Sequence, residues 1–165
     1  MIRPDRIGHV VIKVRDIERS RKFYTDVMGL QLMMQMKRPK MAFFASNGRD
    51  HHEIACMEVG KDAKGPEWRQ VGLVHIAFRL KDEEELRSAY KVLKDNEVPI
   101  SFTVDHGITK SIYFTDPDGN QLEVYCDNPP EDIAQMRENK YAGTDKLDFA
   151  ASEPGIAEVF ASMTR

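Results

Sequence analysis

The chain has 165 residues, of which 41% are hydrophobic and 31% charged, with a formal net charge of −3. That length suits one domain with a real hydrophobic core, and the mild negative charge gives no reason to expect nucleic acid, which would call for a basic face. No apolar run reaches the roughly 18 residues of a membrane span, and Met1-Ile2-Arg3-Pro4-Asp5-Arg6 lacks the apolar core of a signal peptide. The expectation is a cytoplasmic protein with no membrane or nucleic-acid partner. Two cysteines, Cys56 and Cys126, fit a reduced compartment better than a disulfide scaffold. They fall at matching ends of two repeats and read as small apolar residues packing late in strands.

Ile7 to Val14 reads as a strand rich in β-branched residues. Asp16 is a helix N-cap, and apolar residues at Ile17, Phe23, Tyr24, Val27 and Met28 follow at helical spacing until Gly29. Strands are predicted at Gln31–Lys37 and Met41–Ala45, a turn at Asn47-Gly48, and a strand at His51–Val59. Gly60 to Gln70 is a linker. The pattern then repeats: strand Leu73–Leu80, cap Asp82, helix Glu83–Asn96, and strands at Ile100–Val104, Ile108–Thr115 and Gln121–Cys126. Asp116-Pro117-Asp118-Gly119 turns between the last two. Pro129-Pro130 stops the sheet pattern, and short helices are predicted at Glu131–Asn139 and Ile156–Met163, joined by polar chain around Gly143. The predicted fold class is α+β: two βαβββ repeats, at about 5–60 and 71–128, forming a cupped mixed sheet with helices outside. A helical tail, 129–165, serves as lid or subunit contact.

The two repeats open alike. His9-Val-Val-Ile-Lys-Val-Arg-Asp matches His75-Ile-Ala-Phe-Arg-Leu-Lys-Asp in residue type, and Tyr24 and Tyr90 follow at the same separation. Equivalent histidines on equivalent strands can meet on one metal ion across a pseudo-twofold axis. With Glu123 they make a two-histidine, one-carboxylate set, which binds one face of an octahedral ion and leaves the opposite face open. That suits Fe(II) with a substrate and dioxygen, and Mn(II) satisfies the same geometry. A lone strand histidine is more often a packed or surface residue. The symmetric placement is what separates His9 and His75 from that background.

With these residues in place the chain resembles the vicinal oxygen chelate superfamily over roughly residues 5 to 127. Val104-Asp105-His106, Ile112-Tyr113, Asp116-Pro117-Asp118-Gly119 and Glu123 resemble the signature of single-module extradiol ring-cleavage dioxygenases. The Asp-Pro-x-Gly and Glu portion is common across the superfamily, whereas His106 and Tyr113 are more specific. The resemblance implies metal ligands at His9, His75 and Glu123, an active-site Tyr113, and a substrate-binding His106. Asn47 to Ala55 resembles the segment carrying the family's acid–base histidine, which falls on His52. His51 is then a neighbour at a strand end.

The implied reaction is Fe(II)-dependent extradiol cleavage of a catechol by O2. A catechol chelates through adjacent oxygens, and dioxygen needs a further open position. A histidine titrating near neutrality suits the proton transfers, and a phenol can stabilise developing negative charge. One feature points elsewhere. Aligning the repeats at Cys56 and Cys126 puts Glu53 opposite Glu123, and glyoxalase-type members use a fourth ligand on that strand. From a regular strand His52 and Glu53 cannot both point inward, though a bulge beside Gly48 would shift the register. Alternatives are therefore a glyoxalase- or epimerase-type isomerase, or a resistance-type binding module. Met33, Met34, Met36, Phe43, Phe44 and Trp68 are candidate apolar pocket residues. Sheet edges that need cover predict a homo-oligomer, a dimer or higher.

Overall fold

A computed structural model describes residues 1–139 and 143–163; positions 140–142 and 164–165 of the predicted tail lie outside the described residues. The chain forms two compact units, Met1–Trp68 with Pro117–Asn120, and Arg69–Asp116 with Gln121–Arg165.

In the first unit β1 (Val10–Val14) leads to α1 (Ile17–Lys22), then β2 (Gln31–Lys37), β3 (Lys40–Ala45) and β4 (Ile54–Glu58). The sheet order is β1-β4-β3-β2, with β1 parallel to β4 and the other pairs antiparallel. Asp16 caps α1 as predicted, its Oδ1 accepting from the Glu18 and Arg19 N–H groups at 3.0 and 3.1 Å. The helix expected to reach Met28 is α-helical only to Lys22; Phe23–Val27 is a π turn, closed by Met28 N–H donating to Phe23 O at 3.1 Å. The wider turn lets consecutive aromatics, Phe23 and Tyr24, both enter the core. Tyr24 is fully buried, with Phe44 at 5.5 Å between ring centroids, and Ile12, Val14, Ile17 and Ile54 complete the core. Each buried side chain of that size contributes about 1.5–3 kcal/mol. The Pro117–Asn120 turn belongs to this unit through Asp118, which accepts from Arg15 at 3.0 Å and Arg19 at 2.6 Å.

The second unit repeats the order with β5 (Ile76–Arg79), α2 (Glu83–Asp95), β6 (Ile100–Asp105), β7 (Thr109–Thr115) and β8 (Gln121–Asp127). Its sheet order is β5-β8-β7-β6, again with one parallel pair, β5 with β8. Asp82 caps α2 through the Glu85 N–H at 3.0 Å. Leu86 and Leu93 are the buried face of α2, and Ile112, Phe114, Leu122 and Val124 are buried in β7 and β8. The tail adds α3 (Pro130–Asn139), a 3-10 turn at Asp148–Ala150 and α4 (Ile156–Met163).

The α+β architecture of paired βαβββ repeats is therefore present as two four-stranded mixed sheets with helices. The strands predicted from Ile7, His51 and Leu73 each begin three residues later than expected, at Val10, Ile54 and Ile76. Their parallel ladders start at Val10↔Ile54 and Ile76↔Leu122, so His9, His51, His52, Glu53 and His75 all lie just ahead of regular strand. Both cysteines are free and buried. No helix among the described residues is long and apolar enough to cross a membrane.

Candidate active site

In the second unit the β-ladder sets the site. Glu123 lies at the middle of β8, paired with Ala77 on β5 and Tyr113 on β7, and Tyr113 pairs with Phe102 on β6. Directly paired residues project to the same side of a sheet. His75, one residue ahead of β5, places Nε2 3.1 Å from Glu123 Oε2. Its ring centroid is 5.4 Å from that of Tyr113. Phe102 stacks on the other side of Tyr113, with centroids 4.3 Å apart and planes 20° from parallel.

Glu123 is only 7% exposed. A buried carboxylate is costly without a compensating cation. Burial, and then the Glu123 carboxylate, push the Tyr113 phenol above its ordinary pKa of 10.0, so it stays protonated and donates. His106 occupies the turn between β6 and β7, its Nε2 3.5 Å from the Tyr113 hydroxyl. The turn is held by His106 N–H to Thr109 O at 2.8 Å and Gly107 N–H to Asp105 Oδ1 at 2.8 Å. Gly107 has φ +78, a conformation that suits glycine.

The His75–Glu123 pair fits a divalent ion. Two ligands at right angles with bonds of about 2.1 Å stand about 3 Å apart, and the nitrogen and oxygen here are 3.1 Å apart.

The first unit gathers three histidines ahead of its strands. His52 lies 4.3 Å from His9 and 4.4 Å from His51 between ring centroids, and it meets the edge of Phe43 at 5.0 Å. The two adjacent rings share a hydrogen bond, Nδ1 to Nδ1, at 2.6 Å. Burial, with the neighbouring His9 and His51, holds the His52 pKa below its ordinary value. Glu53 turns to the β3 end instead: its Oε2 accepts from the Ser46 N–H and hydroxyl, each at 2.6 Å. The regular-strand alternation expected at 52 and 53 does not apply, because both precede β4.

The register also replaces the expected pairing of Glu53 with Glu123. Counted from the histidines, Val11 on β1 corresponds to Ala77 on β5; Val11 pairs with Ala55, and Ala77 with Glu123. Ala55 therefore occupies the place of Glu123. On the same rule Phe43 corresponds to Tyr113, and Met34 to Phe102 beside matching bulges in β2 and β6. The first repeat keeps apolar residues where the second carries an acid and a phenol. Alignment at the cysteines hid this because the loops before β4 and β8 differ in length.

Of the predicted residues, His75, Glu123, Tyr113 and His106 come together in the second unit, and His9 with His52 in the first. Among the described residues no group of three or more His, Cys, Asp or Glu is gathered as a metal-holding set. Sequence reasoning missed Phe102 and the Glu53–Ser46 contact; the bulge that brings Phe102 opposite Tyr113 has no local sequence mark.

A family model for the Glyoxalase/Bleomycin resistance protein/Dioxygenase superfamily matches residues 6–124. Biphenyl-2,3-diol 1,2-dioxygenase 3 of Rhodococcus globerulus is 30% identical over 161 residues, covering 94% of this chain and 82% of that protein. Metallothiol transferase FosB of Staphylococcus saprophyticus is 32% identical over 136 residues, covering 81% and 85%. The crystal structure of lactoylglutathione lyase from Agrobacterium tumefaciens shares the fold, with a TM-score of 0.59 at 21% identity over 74% of this chain and 94% of that one.

Proposed function

The chain belongs to the glyoxalase/bleomycin resistance protein/dioxygenase superfamily, and within it we propose Fe(II)-dependent extradiol cleavage of a catechol-type diol by O2. The ligands in this reading are His9, His75 and Glu123. The observation that carries it is the grouping on the second sheet. A protonated phenol, Tyr113, stands beside the His75–Glu123 pair, and His106 lies 3.5 Å from its hydroxyl. The likeness to a biphenyl-2,3-diol dioxygenase along 94% of the chain supports the same reading.

A divalent ion held by this set, Fe(II) by ligand preference or Mn(II), supplies chelation of two vicinal oxygens with room left for dioxygen. The chain's residues handle protons and charge. His52 accepts a proton from the diol and returns one as the O–O bond breaks. Tyr113 donates to an oxygen on which negative charge develops. His106 holds the substrate beside it. The ring C–C bond next to the diol breaks and both oxygen atoms enter the product, so no external reductant is needed.

The four-ligand isomerase reading is weakened by Ala55, which fills the place a second carboxylate would take, and by Glu53, which is held by Ser46. The 32% identity to a metallothiol transferase favours a second reading, metal-dependent transfer of a thiol to a small molecule. Anaerobic loading with Fe(II), then oxygen with a panel of catechols, separates them. Oxygen uptake with a yellow ring-fission product supports cleavage. Thiol consumption, or turnover of a glutathione hemithioacetal, without oxygen uptake sinks it.

A homo-oligomer is part of the proposal. β2 is an edge strand exposed along its length, with Leu32, Met33, Met34 and Met36 uncovered. Light scattering that finds only the monomer mass would remove that part.

A further inference from the structure

The tail lies beyond residues 6–124, which the family model matches, yet it touches the turn that carries His106. Gly143 N–H donates to the His106 carbonyl at 2.9 Å. A β-carbon at position 143 would stand 2.6 Å from the Asp105 carbonyl oxygen and 3.3 Å from Gly107 N, so only glycine fits without displacing backbone. Asp145 O then accepts from Asp105 N–H at 2.7 Å, and Pro154 O accepts from Thr103 N–H at 2.9 Å. These bonds complete the outer edge of β6, the last strand of its sheet. On the inner side, Asp105 Oδ1 takes Gly107 N–H at 2.8 Å and Asn128 Nδ2 at 2.9 Å.

The segment is anchored at several points. Leu147 and Ala150 are buried. Glu153 accepts from Tyr90 at 3.0 Å and Lys94 at 2.8 Å, both on α2. An edge strand needs only cover, which any backbone supplies. Here the closest approach falls on the His106 turn.

We propose that Gly143–Gly155 is a strap that fixes the His106 turn from outside and so sets where the His106 ring stands beside Tyr113. Gly143 is a positioning residue for substrate fit. The proposal rests on the reading of His106 as a substrate-binding residue.

The test uses the full chain, wild type, Gly143→Ala, and Glu153→Gln as a gentler loosening of the anchor. Hydrogen exchange of the 103–109 segment should quicken about tenfold or more in Gly143→Ala and less in Glu153→Gln, while β8 keeps its protection. In Fe(II)-loaded enzyme the KM for a catechol should rise about tenfold, with kcat within about twofold and metal content unchanged. Unchanged exchange at 103–109 overturns the strap. Faster exchange with unchanged KM overturns the positioning role and leaves plain edge cover. A wild type that consumes no oxygen with any catechol defeats the proposed function, not the strap. The strap is then judged on metal-free protein by exchange and by the His106 imidazole NMR signals. Those signals shift in Gly143→Ala if the strap places the ring, and stay put if it does not.

Discussion

Phe102 lies nearly flat on Tyr113, with centroids 4.3 Å apart and planes at 20°. The bulge between Ile100 and Phe102 creates this, since it puts Phe102 opposite Tyr113 in the ladder. An aromatic pair of this kind is worth about 0.5–1.5 kcal/mol beyond the area it buries. Phe102→Leu keeps bulk but loses the flat wall that holds the phenol. It should lower kcat about tenfold and leave metal content unchanged, because the ladder partner of Phe102 is Tyr113 and not a proposed metal ligand. Elemental analysis beside steady-state kinetics checks both halves. Loss of metal in parallel with activity would contradict it.

Glu123 separates the metal-free and loaded states. It is 7% exposed, beside a protonated phenol and 3.1 Å from His75. Without metal, Glu123→Gln removes a buried carboxylate charge while keeping an amide that can still hydrogen-bond, and it should be close to neutral in stability. Added Fe(II) or Mn(II) should raise the Tm of wild type and leave that of Glu123→Gln where it was, since only binding to the folded state stabilises. Equal metal-induced shifts in both proteins would remove Glu123 from the ligand set.

Much of this was legible before the structure. Asp16 and Asp82 are caps in both, β2 runs Gln31–Lys37 as predicted, and the repeat of His9 in His75 anticipates two βαβββ halves of the same strand order, although they form two four-stranded sheets where one cupped sheet was expected. What sequence could not supply is register. The place of Glu123 falls to Ala55 and not Glu53 because the loop before β4, 46–53, is longer than the loop before β8, 116–120, and no residue type marks that difference. The π turn after Lys22 was equally hidden, because its apolar spacing reads as continuous helix. The strap at Gly143 depends on backbone contacts between segments far apart in sequence, which periodicity does not encode.

His52 and Glu53 should behave differently although they are adjacent. His52 packs on His9, while Glu53 is held by Ser46. His52→Ala should keep the metal and bound catechol and lose about 100- to 10,000-fold in turnover, the usual worth of positioned proton transfer. Glu53→Gln should leave metal and activity in place but cost about 1 kcal/mol of stability through weaker bonds to Ser46. Urea titration and metal analysis of both variants decide the matter. Loss of metal in Glu53→Gln would restore the four-ligand isomerase reading.

Acid should release the tail before it unfolds the sheets. The Lys94 ammonium first, with the Tyr90 hydroxyl, holds the Glu153 carboxyl below its ordinary pKa of 4.5. A depressed carboxyl pKa contributes stability that is fully present above the unfolded value and is lost as pH falls through the folded one. Glu153 is largely buried but Lys94 is half exposed, so screening keeps the contribution near about 1 kcal/mol. Glu153→Gln should therefore be less stable than wild type at pH 7, and the difference should close as pH falls below the ordinary carboxyl value of 4.5 and through the depressed folded-state value. Over the same interval wild-type exchange at 103–109 and in the Asp148–Ala150 turn should approach that of the variant. A stability difference independent of pH from 7 to 3 would show that the carboxylate charge does not hold the tail to α2.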